Sequence, residues 1–137
     1  MGSYEIMITV DTHSIVWDAL QPDKLSSKAR KAIDSANQTD GIIFCEISLW
    51  EVAMLITKKR IEIPVPYHEF IRLVTASNKY IYHGITPDIA ELSTQFHSDI
   101  NLDPADRIIC ATSIITNAQL VTADKNLQRS KSIKTIW

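Results

Sequence analysis

Apolar residues along the chain gather into five short runs, Ile6–Val10, Ile42–Cys45, Tyr80–Tyr82, Gln119–Thr122 and Ile133–Trp137. The first two are continuous rather than alternating, the pattern of strands covered on both faces. The segments between them carry helical spacing and start signals. Ser26 or Ser27 can cap a helix to about Ala36. Ser48-Leu49-Trp50-Glu51 reads as a capping box for a helix to about Lys59. Thr86-Pro87 is a cap followed by Pro at the first helical position, and Asp103-Pro104-Ala105-Asp106 repeats that pattern for a helix to about Thr116. Pro64 and Pro66 bracket a turn before a helix over Tyr67–Ala76. Strands alternating with helices predict an α/β fold with a mainly parallel sheet flanked by helices.

The chain has 137 residues, which predicts one domain, long enough for a core without disulfide or metal staples. With 3 Gly, 5 Pro and 45% hydrophobic residues it has neither a disordered nor a collagen-like composition. Cys45 and Cys110 sit in apolar company without metal spacing and read as two buried thiols in a reducing compartment, the cytoplasm. No run approaches the roughly 18 apolar residues of a membrane span, and the start lacks the pattern of a secretory signal. Met1-Gly-Ser reads as an added leader before a native start at Met7, so residues 1–6 belong to the domain only in part.

Charge changes the picture through its distribution. The 14 Lys and Arg against 16 Asp and Glu give a net charge of −2, which excludes a broadly basic nucleic-acid coat. In a parallel α/β sheet, ligands bind beyond the carboxyl ends of the strands near a switch in strand order. Asp11 follows the first strand run, Glu51 lies in the first turn of the helix after the second, and Asp124 follows the fourth run by two residues. Asp103 and Asp106 open the helix before that run, and Asp106 joins the others if this helix points its N-terminus the same way. Plainer roles exist for most of them: Glu51 as partner in the capping box, Asp103 as a cap, Asp106 as a first-turn acid, Asp124 in a turn. Asp11 has no evident structural task. Clustered carboxylates raise each other's pKa, a cost that a divalent cation reverses, and an all-oxygen donor set selects Mg²⁺ or Mn²⁺ over Zn²⁺. The chemistry expected is metal-dependent hydrolysis of a phosphodiester.

At these residues the chain resembles the PIN-domain ribonucleases, and among them the VapC-type toxins of type II toxin–antitoxin systems. Val10-Asp11-Thr12-His13 with Trp17 is similar to the family's "DTH…W" phrase, and Leu25-Ser26 through Ala29-Arg30 and Ile33 to "LS…AR..I". Ile47-Ser48-Leu49-Trp50-Glu51-Val52-Ala53 resembles "ISLWEIA", and Arg60-Ile61-Glu62-Ile63-Pro64 resembles "GRLxLP" with Lys59 in place of the usual Gly. Asp103 through Thr112 resembles "DPFDRLLIAQA" with Ala105 for Phe, and Leu120 through Asp124 resembles "LVTAD". The segment Phe96–Leu102 lacks the basic residue of "PxxHRD".

The resemblance implies a single PIN domain over residues 1–137. It implies a Mg²⁺- or Mn²⁺-dependent endoribonuclease, the toxin of a toxin–antitoxin module, with a cognate VapB-like antitoxin and a homodimer. The acids carried over are Asp11, Glu51, Asp106 and Asp124. On this reading Asp11 and Asp106 bind the metal directly, Glu51 and Asp124 complete the site, and a metal-activated water attacks the RNA phosphate. Asp103 matches the pattern as a supporting acid. Thr12 and Thr122 are expected to hydrogen-bond the acids, and Arg107 to touch substrate or restrain Asp106. Lys58, Lys59 and Arg60, the group Lys125, Arg129, Lys131 and Lys134, and the cluster Lys24, Lys28, Arg30 and Lys31 are candidate RNA contacts, although solvated helix faces and partners of helix C-termini are the plainer reading of each. The four His read as structural, with only His13 near the site, and Trp17 and Trp50 are placed on helices flanking it. A haloacid-dehalogenase-type phosphatase would need a second Asp where His13 stands. A housekeeping RNA-processing PIN nuclease and a non-catalytic PIN-like RNA-binding or scaffold module are the alternative functions.

Overall fold

The computed structural model describes residues 7–96, 100 and 103–137. In chain order the elements are β1 (Ile8–Val10), α1 (Thr12–Leu20), a 3₁₀ turn (Pro22–Lys24), α2 (Ser27–Asn37), β2 (Ile42–Cys45), α3 (Ile47–Thr57), α4 (Tyr67–Ser77), β3 (Tyr80–His83), α5 (Pro87–Ser93), α6 (Pro104–Ile115), β4 (Gln119–Val121), α7 (Lys125–Arg129) and β5 (Thr135–Ile136). The strands form one five-stranded sheet of order β3-β2-β1-β4-β5, and every pairing is parallel. Strand β1 is central, with Val10 opposite Phe44 on one side and Val121 on the other. The chain winds outward from β1 through β2 to β3 and then crosses to β4, so the switch in strand order lies at β1 and β4.

Strands β1 and β2 are buried at every position, as their unbroken apolar runs require. Ile8, Val10, Phe44 and Val121 face α1 to α4, where Ile15, Ile33, Val52 and Phe70 meet them. Ile43, Cys45 and Leu120 face the opposite layer, with Ile109 and Cys110 of α6 and Leu127 of α7. Full burial of an aliphatic or aromatic side chain contributes about 1.5–3 kcal/mol, so these two layers hold the sheet and leave its carboxyl edge for chemistry. Strand β3 closes one edge and keeps Ile81 and Tyr82 exposed.

Strand β2 has the expected bounds, and the other strands start or end one or two residues from expectation. The last strand keeps only Thr135–Ile136, with Ile133 buried before it. The expected start at Ile6 lies outside the described residues, as does the 97–99 segment with His97. Ser26, Thr86 and Asp103 cap α2, α5 and α6 through their side chains. Ser48 does not cap α3, which begins one residue earlier at Ile47, because the helix follows Glu46 without an extended cap residue. Glu51 therefore sits in the second turn of α3. Among the described residues no helix is long and apolar enough to cross a membrane.

Helix α3 ends in a Schellman motif. The Arg60 amide donates to the Leu55 carbonyl at 2.9 Å, the Lys59 amide to Ile56 at 3.0 Å, and Lys59 lies at φ 58°. That conformation favours Gly and costs another L-residue about 1–2 kcal/mol. Lys59→Gly is therefore expected to stabilise the fold by about 1 kcal/mol, and Lys59→Val to destabilise it. Denaturant midpoints at unchanged slope measure both, and a lower midpoint for the Gly variant would refute the account.

Candidate active site

The site is built from the residues just beyond each strand. The chain leaves β1 at Asp11, whose Oδ1 accepts the Ser14 amide at 2.9 Å and so caps α1. Asp11 has a structural task after all, contrary to the sequence reading, yet an N-cap uses only part of a carboxylate. Leaving β4, Thr122 is fully buried. Its Oγ1 accepts the Asp124 amide at 3.1 Å and its hydroxyl bonds the Asp11 carboxyl, tying the ends of two neighbouring strands together. Asp124 is not a simple turn residue: its Oδ1 caps α7, accepting from the amides of Asn126 at 2.8 Å and Leu127 at 3.2 Å. Asp103 caps α6 through the Ala105 amide at 2.9 Å, and Asp106 lies in the first turn of that helix.

Glu51 arrives from the other side. The capping-box role is not its role: the Thr12 hydroxyl donates to Glu51 Oε1, and Ser48 Oγ lies 2.8 Å from the same Thr12 oxygen. Thr12 has one proton, committed to Glu51, so the buried Ser48 hydroxyl donates to Thr12. This relay fixes Glu51 across the 39 residues that separate it from Thr12.

Asp11, Glu51, Asp103, Asp106 and Asp124 thus line one cleft of about 360 Å³, together with Thr12, His13, Trp17 and Ala123. Among the described residues no Lys or Arg is part of its lining. Burial pushes the Asp106 carboxyl up to about 7, reinforced by the charges of Asp103, Glu51, Asp11 and Asp124. Burial also raises Asp11, against the hydrogen bonds from Thr122 and Ser14 that pull it down. Glu51 is raised by burial, lowered by Thr12, raised again by Asp103, lowered by His13 and raised by Asp11. The N-termini of α1, α6 and α7, marked by their acidic caps, bring partial positive charge to the same place.

The donor chemistry fits a hydrated Mg²⁺ or Mn²⁺. Among the described residues no three His, Cys, Asp or Glu side chains converge as a closed ligand set. Mg²⁺ keeps several waters and is commonly held through one or two carboxylates, which suits acids spread around a cleft.

Other expected residues fall elsewhere. Arg107 does not line the cleft: its guanidinium reaches the Ser93 carbonyl of α5 at 3.5 Å. Lys58 and Lys59 are exposed at the end of α3 and Lys125 opens α7, none lining the cleft, while Arg60 lines a groove beside it. Arg30 is committed to Asp18 at 2.7 Å and Asp34 at 3.2 Å. Trp17 lines the cleft, whereas Trp50 is 57% exposed and does not. The sequence reading missed Ser14, and it gave Ser48 a capping role in place of its bond to Thr12. Ser14 stands three residues after Asp11, the spacing of a cap and its amide donor, a signal open to a reader who accepts Asp11 as a cap.

A model of the PIN domain family matches residues 8–132. Ribonuclease VapC22 of Mycobacterium tuberculosis is 31% identical over 132 residues, 95% of this chain and 98% of that protein. The crystal structure of VapBC2 from Rickettsia felis, bound to a DNA fragment from its promoter, superposes with a TM-score of 0.73 at 12% identity, covering 95% of this chain and 97% of that one. A toxin–antitoxin complex from Klebsiella pneumoniae gives 0.61 at 22%, covering 93% and 96%.

The raised carboxyl of Asp106 sets a pH dependence. The folded chain holds this proton to about pH 7, while the unfolded chain releases it near 3.8, so the metal-free fold loses stability as pH climbs between those values. Asp106→Asn removes the titration. In chelator, its melting temperature is expected to gain on the wild type steadily from pH 4 to pH 7 and then level off. A constant difference across that window would contradict the assignment.

Proposed function

The chain belongs to the PIN-domain family, and from that premise we propose that it is a Mg²⁺- or Mn²⁺-dependent endoribonuclease, the toxin of a type II toxin–antitoxin pair. The observation that carries this reading is the convergence of five acids on one cleft that, among the described residues, lacks a Lys or Arg in its lining. Similarity to Ribonuclease VapC22 over nearly the whole chain supports RNA as the substrate.

In this reading Asp11 and Asp106 hold the cation, with Glu51 and Asp124 completing the set directly or through water. When bound, such an ion supplies a lowered pKa for water and offsets the charge that builds on a phosphoryl group in flight. The remaining work belongs to the chain. Ser14 and Thr122 fix the Asp11 carboxyl, and Thr12, backed by Ser48, fixes Glu51. These contacts orient ligands as partners of metal-bound carboxylates do. Asp103 adds negative charge at the rim, and its backbone carbonyl accepts the Arg107 amide at 3.1 Å. Lys58, Lys59, Arg60 and Lys125 lie outside the acid cleft, where they can meet phosphates flanking the cut.

A VapB-like antitoxin as partner is supported by the toxin–antitoxin complexes among the structural relatives. A second cleft of about 410 Å³ between α1 and α4, floored by Phe70 and Val74 and edged by Leu73, has the apolar lining that takes an amphipathic helix. A homodimer is supported by the apolar residues that β3, the loop after it and α3 leave exposed, Ile81, Tyr82, Ile85 and Trp50. The cytoplasm is supported by Cys45 and Cys110, both free and buried.

Asp11→Asn tests the reading cleanly, because Asn keeps a carbonyl oxygen for the Ser14 amide and caps as well as Asp. The variant is expected to melt at or above the wild type in chelator and to lose stabilisation by Mg²⁺. Cleavage of a total RNA pool should fall by about 100-fold or more, beyond the 10–100-fold typical of a supporting partner. Retained metal-dependent cleavage with an unchanged fragment pattern would overturn the mechanism.

A further inference from the structure

A groove of about 680 Å³ opens beside the acid cleft and shares two of its walls, His13 and Trp17. Its polar lining is Gln21, Lys24, Arg60 and Glu62. Lys24 belongs to the 3₁₀ turn after α1 and Arg60 to the Schellman end of α3, segments that are far apart in sequence and both line this groove. Both cations are exposed, and among the described residues neither makes an ion pair. Arg30, by contrast, is spent on two carboxylates and Arg72 on Glu69. The Lys24 ammonium stands 5.6 Å from the centre of the Trp17 ring. Trp17 is also flanked by His13 at 5.8 Å and Trp137 at 5.9 Å, an aromatic cluster at the boundary between cleft and groove.

We propose that this groove holds the single-stranded RNA adjoining the scissile phosphate, with Lys24 and Arg60 on successive phosphates and the His13–Trp17 face against a base. The proposal rests on the ribonuclease reading and adds a direction to it. A polyanion lying across a cleft walled by five acids must leave it by a path where its own charge is met. The shared walls make the groove continuous with the cleft, and its two cations against one acid, Glu62, give it the opposite sign. Single-strand sites combine such a basic track with aromatic faces, which serve any base alike. A protein segment would find the same cations, but continuity with the acid cleft favours the molecule that is cut there.

The test measures binding apart from cleavage. A short fluorescein-labelled oligouridylate is titrated in the Asp11→Asn background, where it stays whole, and salt is varied. Adding Lys24→Ala with Arg60→Ala is expected to weaken binding about tenfold. It should also reduce the slope of log affinity against log salt by about 1.4, the loss for two single-strand phosphate contacts. Arg72→Ala with Lys79→Ala, exposed cations outside the groove, should leave both quantities unchanged, and melting temperatures verify that each variant folds. If the groove variant matches its parent in affinity and slope while the wild-type protein cuts RNA, the groove assignment falls and the ribonuclease reading stands. If the wild-type protein neither cuts nor binds RNA, both fall. Unchanged RNA binding with lost binding of a co-expressed antitoxin would reassign the groove to a protein segment.

Discussion

The hydrogen bond from a helix N-terminus to an acidic cap is the interaction on which this architecture turns. An all-parallel sheet brings the start of each following helix to one edge, and here Asp11, Asp103 and Asp124 cap α1, α6 and α7 at that edge. Each cap contributes about 1 kcal/mol and points a carboxylate where the helix dipole is positive. They hold three of the acids of the cleft together against their mutual repulsion. With them, the fold can hold a cluster in which burial, reinforced by the neighbouring charges, pushes Asp106 up to about 7. Stability and site are therefore supplied by the same atoms, and an Asn at a capping position separates the two roles by keeping the cap and removing the charge.

Legibility in the sequence depends on how local the cause is. The buried strands β1 and β2, the Thr86-Pro87 and Asp103-Pro104 starts, and the positions of the acids after their strands are all set by neighbours within a few residues, and the sequence shows them. The Ser48 capping box has the right letters, but Glu46 enters α3 already helical, so the box has no cap residue to use. What Ser48 and Glu51 do instead depends on Thr12, which reaches them only when α1 and α3 lie side by side. Asp11 shows no structural role in the sequence until Ser14 is weighed as its amide donor. Arg107 stands next to Asp106 in the chain, yet residues adjacent on a helix point in different directions, and it turns to α5.

Charge is legible only as a sum. A net charge of −2 describes neither the cleft, with five acids and, among the described residues, no Lys or Arg in its lining, nor the groove beside it, where Lys24 and Arg60 meet. Sequence clusters of Lys and Arg are poor guides because each holds members with different fates. Within one short stretch Lys24 stands over an aromatic ring while Arg30 is bound between Asp18 and Asp34. Lys59 differs again, since its backbone takes a left-handed conformation better suited to Gly.

The position of β1 at the centre of the sheet has a consequence for how the protein is made. Val10 pairs with Val121, so β1 must wait for β4 to be made before its second neighbour arrives. At about 5–20 residues per second that wait lasts seconds. During it the nascent polypeptide carries Asp11 and Glu51 but has no cleft, because Asp106 and Asp124 come last. A translation product that ends before β4 would therefore lack Asp124 and the cleft wall it supplies.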